Sequence, residues 1–179
     1  MPRVSVVIPA YEEGEHVLGV LQRIIEGVSL PCEIVVVVDD ESDSTIPIIE
    51  KVFGDDERVT WLVNTYGRGP ANAIRYGIDH VSAPVTVVTM ADGSDDAQQI
   101  DQLARLVERG VVIAAASRYV KSGQQVGGPA FKRALSRAAG KSLYWLGRVG
   151  TRDATNSFKA YNTTFARAAG IESDKGFEI

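Results

Sequence analysis

The chain has 179 residues, of which 45% are hydrophobic and 23% are charged. This composition excludes an intrinsically disordered protein, and the length suffices for one domain with a sizeable core. No apolar stretch approaches the roughly 20 residues of a membrane-spanning helix, and the N-terminus lacks the basic and apolar regions of a signal peptide. The single cysteine, Cys32, excludes an intrachain disulfide. We expect it to be a buried structural thiol in a reducing compartment.

The predicted elements alternate between strands and helices along the chain. Apolar runs typical of buried strands lie at 3–9, 32–40, 59–63, 84–90 and 111–116. Helical patterns lie between them, at 15–28, about 45–53, 70–81 and around Ile100, Leu103, Ala104 and Val107. A long helix at about 131–147 and a strand at 156–162 complete the chain. This order predicts one α/β domain over 1–179, a mostly parallel central sheet flanked by helices on both faces.

The net charge of −4 conceals an asymmetry along the chain. Residues 111–152 contain no Asp or Glu and carry a charge of +8, which leaves −12 for the rest. Two regions of opposite sign indicate two binding surfaces that prefer different partners.

Acidic segments follow three of the predicted strands, at 9–15, 39–44 and 91–96. Ligands of an open parallel sheet bind beyond the carboxyl ends of its strands, so these segments are expected to converge on one edge. Asp43, Ser44, Asp95 and Asp96 precede helices and could serve only as N-caps.

Asp39, Asp40 and Asp92 stand directly at strand ends and are not needed as caps. Crowded carboxylates are costly unless a cation offsets them, and oxygen ligands at this spacing suit Mg²⁺ or Mn²⁺ with phosphate. The segment at 67–77, "GRGPANAIRYG", misses a dinucleotide motif because Asn72 replaces the third glycine. We interpret it as a tight turn that leads into a helix.

Six segments in order resemble family 2 glycosyltransferases of the GT-A fold, and within them the dolichyl- or polyprenyl-phosphate sugar (mannose) synthases. They are "VSVVIPAYEE", "VVVVDDESDST", "GRGPANAIRYGI", "MADGSDD", "ASRYV" and "DATNSFKAYN", and they span nearly the whole chain. The resemblance implies a nucleotide-sugar donor, a Mg²⁺ or Mn²⁺ cofactor and a polyprenyl or dolichyl phosphate acceptor.

The resemblance also implies individual roles. The donor-binding residues would be Pro9, Ala10, Tyr11, Glu13, Val38, Asp39, Asp40, Ala91, Asp92 and Ser94. Asp92 would bind the metal, with Ser94 as a second ligand. The acceptor phosphate would meet Arg118, Lys132, Arg133 and Ser136. Asp92 and Arg118 would act in catalysis, and Asp153 is our candidate for a general base or an acceptor-orienting group, with a turn or cap as its alternative.

The chain departs from the family pattern at several positions. Met90 replaces the first Asp of the D-A-D metal motif, and "TNSF" replaces the more usual Thr-Ser-Gly-Phe. The Q-x-x-R-W motif of processive synthases is absent. Family members continue beyond the segment "GFEI", so we expect the C-terminal extension to be missing.

The predicted helix within 131–148 has one basic face and one apolar face. Arg133, Arg137, Lys141 and Arg148 share the first, and Phe131, Leu135 and Trp145 share the second. This pattern fits either a surface helix packed on the sheet or an interfacial helix on anionic lipid. The absence of acidic residues over 111–152 favours an anionic membrane surface as the partner. Nucleic acid is a weaker alternative, because the sequence contains nothing that resembles an RNA-stacking platform.

We therefore expect an inverting glycosyltransferase that moves a sugar from GDP-mannose or a UDP-sugar to polyprenyl or dolichyl phosphate. Its expected location is cytoplasmic, peripheral at the cytoplasmic membrane face. One alternative is a family 2 transferase that acts on a glycan hydroxyl in cell-wall or surface polysaccharide synthesis. Another is a non-catalytic nucleotide-binding module.

Overall fold

The computed structural model describes residues 1–117 and 156–170, in which the predicted alternation of strands and helices is present. The strands are β1 (Val4–Pro9), β2 (Cys32–Val38), β3 (Val59–Val63), β4 (Val85–Val88), β5 (Ile113–Ala115) and β6 (Lys159–Asn162). The helices are α1 (His16–Gly27), α2 (Thr45–Phe53), α3 (Pro70–His80), α4 (Ile100–Glu108) and α5 (Thr163–Ala169), with a 3₁₀ turn at Ala97–Gln99 before α4. None of these helices is long and apolar enough to cross a membrane.

The six strands form one sheet in the order β3-β2-β1-β4-β6-β5. β1 lies between β2 and β4 and runs parallel to both, and β2 runs parallel to β3. β6 runs antiparallel to β4, with Val85 opposite Asn162 and Val88 opposite Lys159. The prediction of a mostly parallel α/β sheet is confirmed, and β6 is its antiparallel exception.

Several strands are shorter than their apolar runs, because neighbouring groups take the backbone out of the ladder. The fifth was predicted to begin at residue 111, but the Val111 amide bonds to the Leu106 carbonyl at 3.2 Å and completes the end of α4. The fourth was predicted to reach residue 90, but the Met90 amide bonds to the Asp95 side chain at 3.2 Å.

The core lies between the sheet and the helices that cover it. All six residues of β1 are buried, as expected for a central strand with helices on both faces. A cluster on one face combines Val7 and Val37 of the sheet with Ile74 and Ile78 of α3 and Tyr161 of β6. These contacts pack α3 against β1 and β2.

The described residues from Met1 to Ala114 and from Ser157 onward belong to one compact unit. Residues 115–156 form a second unit, of which the structure describes only 115–117 and 156. Within it the Asn156 side chain donates a hydrogen bond to the Ala116 carbonyl at 3.0 Å. The single domain over 1–179 stays a prediction.

Candidate active site

A pocket of about 420 Å³ opens beyond the carboxyl ends of β1, β2 and β4. Its lining comprises Pro9, Ala10, Tyr11, Glu13, Asp39, Arg68, Gly69, Pro70, Ala73 and Met90. The first five of these belong to the predicted donor-binding set. The size and the position at the strand ends are those of a small-molecule site in an open α/β sheet.

The first wall of the pocket is the segment after β1. Its backbone is held by side chains at the start of α2, because the Glu12 amide donates to Asp43 at 3.0 Å and the Glu13 amide donates to Thr45 at 3.1 Å. Glu12 has a positive φ of 52°, which turns the chain sharply at this point. Tyr11 is left 63% exposed at the mouth of the pocket, where its ring is accessible to a ligand.

The predicted capping of α2 is only partly observed. Asp43 accepts from the Thr45 amide at 2.8 Å, whereas Ser44 stands at the N-cap without a side-chain capping bond. Asp43 is only 2% exposed, and its other oxygen accepts from the Glu12 amide in the first wall. Its carboxylate therefore joins the start of the helix to the pocket.

Protein donors offset the two aspartates at the end of β2. Asp39 accepts from the Asn64 side chain at 2.9 Å and from the Gly69 amide at 2.8 Å. Asp40 accepts from the amide and hydroxyl of Ser42 and from Arg68 at 3.2 Å. These bonds, those of Ser42 foremost, lower the pKa of Asp40 below its ordinary value. At these two aspartates, protein donors take the place of the cation that the sequence led us to expect.

The acidic segment after β4 divides its carboxylates among different tasks. Asp95 accepts from the Thr89 hydroxyl at 2.8 Å and closes the end of the strand. Asp96 accepts from the Gln98 amide at 3.1 Å and caps the 3₁₀ turn. Asp92 is exposed, with Oδ1 accepting from the Ser94 amide at 2.9 Å. Of the two predicted caps in this segment, Asp95 and Asp96, Asp96 is observed to cap the 3₁₀ turn. Asp92 was not predicted as a cap, and its exposed carboxylate is accessible to a ligand.

The residues at this position fit a divalent cation carried by a phosphate ligand. Mg²⁺ in such sites is held by one or two carboxylates together with phosphate oxygens and water. Asp92 supplies one exposed carboxylate, with exposed Ser94 two residues away. No group of three or more His, Cys, Asp or Glu that could hold a metal occurs within residues 1–117 and 156–170. The described residues therefore offer an incomplete set of ligands, which phosphate oxygens would complete.

The remaining predicted site residues fall into two groups. Val38 and Ala91 are buried at 0% and 3% exposure and are not among the residues that line the pocket. The predicted acceptor residues and the other two predicted catalytic residues lie outside the described part of the chain, as does the predicted basic helix within 131–148; they are Arg118, Lys132, Arg133, Ser136 and Asp153.

Sequence reasoning missed the second wall of the pocket, which is formed by Arg68, Gly69, Pro70 and Ala73. The segment after β3 was interpreted as an ordinary turn into a helix. Its position offered a signal, because β3 is parallel to β2 and its carboxyl end reaches the same edge of the sheet.

Comparison with known proteins gives a consistent result. The family model described as "Glycosyl transferase family 2" matches residues 5–168. A dolichol-phosphate mannosyltransferase of Pyrococcus furiosus is 33% identical over 138 residues, which cover 76% of this chain and 39% of the relative. A polyprenol monophosphomannose synthase of Mycolicibacterium smegmatis is 30% identical over 164 residues, which cover 89% and 61% respectively. The chain thus spans only part of these curated relatives.

Solved structures show the same fold at lower identity. A mannosyltransferase from Pyrobaculum calidifontis, in complex with GDP-Man and Mn²⁺, superposes with a TM-score of 0.65 at 20% identity, covering 99% of this chain and 49% of that one. A glucosyl-3-phosphoglycerate synthase from Mycobacterium tuberculosis, with Mn²⁺ and UDP, gives a TM-score of 0.64 at 14% identity, covering 91% and 57%. The predicted GT-A fold is confirmed, and with the family model matching nearly the whole chain, this protein belongs to glycosyltransferase family 2.

Proposed function

We propose that this chain binds a nucleotide-sugar in the pocket at the strand ends and transfers the sugar to a polyprenyl or dolichyl phosphate. The observation that carries the proposal is the pocket itself, whose first wall is Pro9, Ala10, Tyr11 and Glu13. The names of the two curated relatives, a dolichol-phosphate mannosyltransferase and a polyprenol monophosphomannose synthase, support the acceptor class.

In this proposal the base and ribose of the donor lie along Pro9–Tyr11 and Glu13, beside Asp39 and Asp40. The diphosphate points toward Asp92 and Ser94, which would hold Mg²⁺ or Mn²⁺ with Ala91 behind them. When bound, the cation supplies charge stabilisation for the departing diphosphate. Arg68 adds a positive charge at the second wall, where it also pairs with Asp40.

The reaction is a displacement at the anomeric carbon. The attacking phosphate oxygen forms the new bond to that carbon as the bond to the nucleoside diphosphate breaks, so the configuration inverts. A lipid phosphate is anionic at neutral pH and attacks without a strong general base. We assign Arg118, Lys132, Arg133 and Ser136 to this phosphate, and Asp153 to orienting the acceptor.

We further propose that the enzyme works at the cytoplasmic membrane face, held peripherally through the helix predicted within 131–148. The excess of positive charge over 111–152 supports this proposal, because anionic headgroups attract such segments.

The test begins with calorimetric titration of GDP and UDP into the full chain, each with and without Mn²⁺. We expect one nucleotide to bind tightly and to require Mn²⁺. Asp92→Ala should abolish the Mn²⁺ requirement together with most of the affinity. Asp96→Ala is the matched control, because this carboxylate of the same segment caps the 3₁₀ turn instead.

Transfer is then measured with a labelled sugar nucleotide and polyprenyl phosphate, followed by extraction into organic solvent. Label in the organic phase supports a lipid acceptor. Label that stays in water with a glycan acceptor would assign the chain to hydroxyl transfer instead. Equal, metal-independent nucleotide binding by wild type and Asp92→Ala would remove Asp92 from the chemistry.

A further inference from the structure

The side chain of Asn64, directly after β3, organises the segment 64–69 that forms the second wall of the pocket. It is 7% exposed and uses both ends of its amide. Nδ2 donates to Asp39 at 2.9 Å and to the Gly67 carbonyl at 2.6 Å, and Oδ1 accepts from the Tyr66 amide at 2.8 Å. A single buried side chain thereby holds this segment at two points of its backbone.

Asp39 completes the arrangement from β2. Its second oxygen accepts from the Gly69 amide at 2.8 Å, so the two side chains together make four hydrogen bonds that hold the segment. Gly67 and Gly69 have φ values of 104° and 119°, which L side chains rarely adopt. The segment therefore has a specific shape, which the Asn64–Asp39 pair stabilises.

The segment has a direct consequence for the pocket. Arg68, Gly69 and Pro70 line the pocket together with Pro9–Tyr11, and Gly69 is the N-cap of α3. The Asn64–Asp39 pair ties this second wall to the end of β2 and so holds it in position relative to the sheet. We infer that Asn64 is a positioning residue for nucleotide binding, acting through the second wall without touching the ligand. This inference rests on the proposed function of the pocket.

Asn64→Ala tests the inference. The change removes the three bonds that Asn64 makes to Asp39, the Gly67 carbonyl and the Tyr66 amide, and leaves Asp39 with its bond from the Gly69 amide, so the second wall relaxes. We expect the affinity for the preferred nucleotide, titrated in the presence of Mn²⁺, to fall by about tenfold or more, while the chain stays folded. Amide exchange should accelerate at Tyr66 and Gly69 and remain unchanged within β1.

Two controls separate positioning from a general loss of stability. Thr163→Val removes a buried hydroxyl group that bonds to the Thr86 hydroxyl and to the Ala83 carbonyl. These bonds lie near the start of β4, away from the pocket. The substitution should lower the melting temperature and leave the nucleotide affinity unchanged. Tyr66→Phe removes one exposed bond to Asp79 from the same segment and should have little effect on either property.

The outcomes are distinct. If wild type binds neither GDP nor UDP, the proposed function fails and the inference fails with it. If wild type binds and Asn64→Ala binds equally well, the pocket function stands and the inference is overturned. Weaker binding by Asn64→Ala and Thr163→Val alike, in proportion to their lost stability, would reduce Asn64 to a structural residue.

Discussion

Gly77 on α3 lies so close to Val7 on β1 that a Cβ atom at Gly77 would stand 2.5 Å from the Val7 Cγ1 atom. The same atom would lie 3.1 Å from the Val37 Cγ2 atom of β2. Helix α3 therefore packs against the two central strands through its backbone at this position. Since the first residues of α3 line the pocket, this close packing also holds the second wall against β1 and β2.

We predict that Gly77→Ala destabilises the protein by about 1–3 kcal/mol, because the added methyl group overpacks the contact with β1. Urea-induced unfolding followed by circular dichroism measures the change. The loss should appear in the midpoint with an unchanged m-value, since the unfolded chain exposes similar surface.

Gly19→Ala is the matched control, because Gly19 is also a helical glycine but is exposed, and no heavy atom lies within 4 Å of its added Cβ. This change should stabilise the protein by up to about 1 kcal/mol through helix propensity. Equal effects of the two substitutions would show that α3 does not depend on close packing at Gly77.

A second prediction concerns Tyr161, whose hydroxyl is buried and has no hydrogen-bond partner among the described residues. Desolvation raises its pKa above the ordinary value. Tyr161→Phe removes this uncompensated polar atom and keeps the ring in the core cluster. We expect a change between neutral and about 1 kcal/mol of added stability, measured by thermal unfolding. A loss of more than 1 kcal/mol would indicate that the hydroxyl has a partner after all, such as a buried water.

The sequence predicted the sheet and its helices because buried parallel strands are almost continuously apolar, as in "VSVVIP" and "CEIVVVV". The end of β1 at Pro9 followed from the same pattern, whereas the pocket role of the residues after it was implied by the resemblance to family 2 glycosyltransferases. Tertiary contacts decided the rest. The partners of Asp39, namely Asn64 and Gly69, lie 25 and 30 residues along the chain, and no periodicity encodes such a distance.

The acidic segments show the same limit on a smaller scale. The sequence separated Asp92, at a strand end, from Asp95 and Asp96, which precede a helix. It did not indicate that Asp95 bonds back to Thr89 while Asp96 bonds to Gln98, because the path of the backbone decides which groups meet. Composition identified the group of residues, and geometry assigned the tasks within it.

A third prediction concerns Glu33, near the amino end of β2. Its Oε1 accepts from the Ser5 hydroxyl at 2.5 Å, the Ser82 amide at 2.7 Å and the Ala83 amide at 3.3 Å. Burial raises the pKa of Glu33, but these bonds outweigh it and lower the pKa below the ordinary value of 4.5. The folded state therefore binds this proton less readily than the unfolded state. The stability contributed by Glu33 is complete above about pH 5 and is lost as the pH falls through the folded pKa.

Glu33→Gln should accordingly lower stability at pH 7 and flatten its dependence on pH between about 5 and 3. Thermal unfolding across this range measures both effects. Glu26→Gln is the control, because Glu26 is exposed and accepts from exposed Gln22. If the pH profiles of wild type and Glu33→Gln are parallel, the carboxylate is not linked to folding.

A fourth prediction rests on the proposed donor site and concerns Met90, which lines the pocket where the family pattern has a carboxylate. Met90→Asp places a second carboxylate two residues before Asp92. With a cation present the pair should bind it more tightly, and without a cation the two charges should repel the diphosphate. We therefore expect nucleotide affinity to rise in Mn²⁺ and to fall in chelator, which widens the ratio between the affinities in the two conditions.

Met90→Leu is the control, because it keeps an apolar side chain and should leave this ratio unchanged. A ratio in Met90→Asp equal to that of wild type would place the diphosphate away from Met90 and shift the proposed cation position with it.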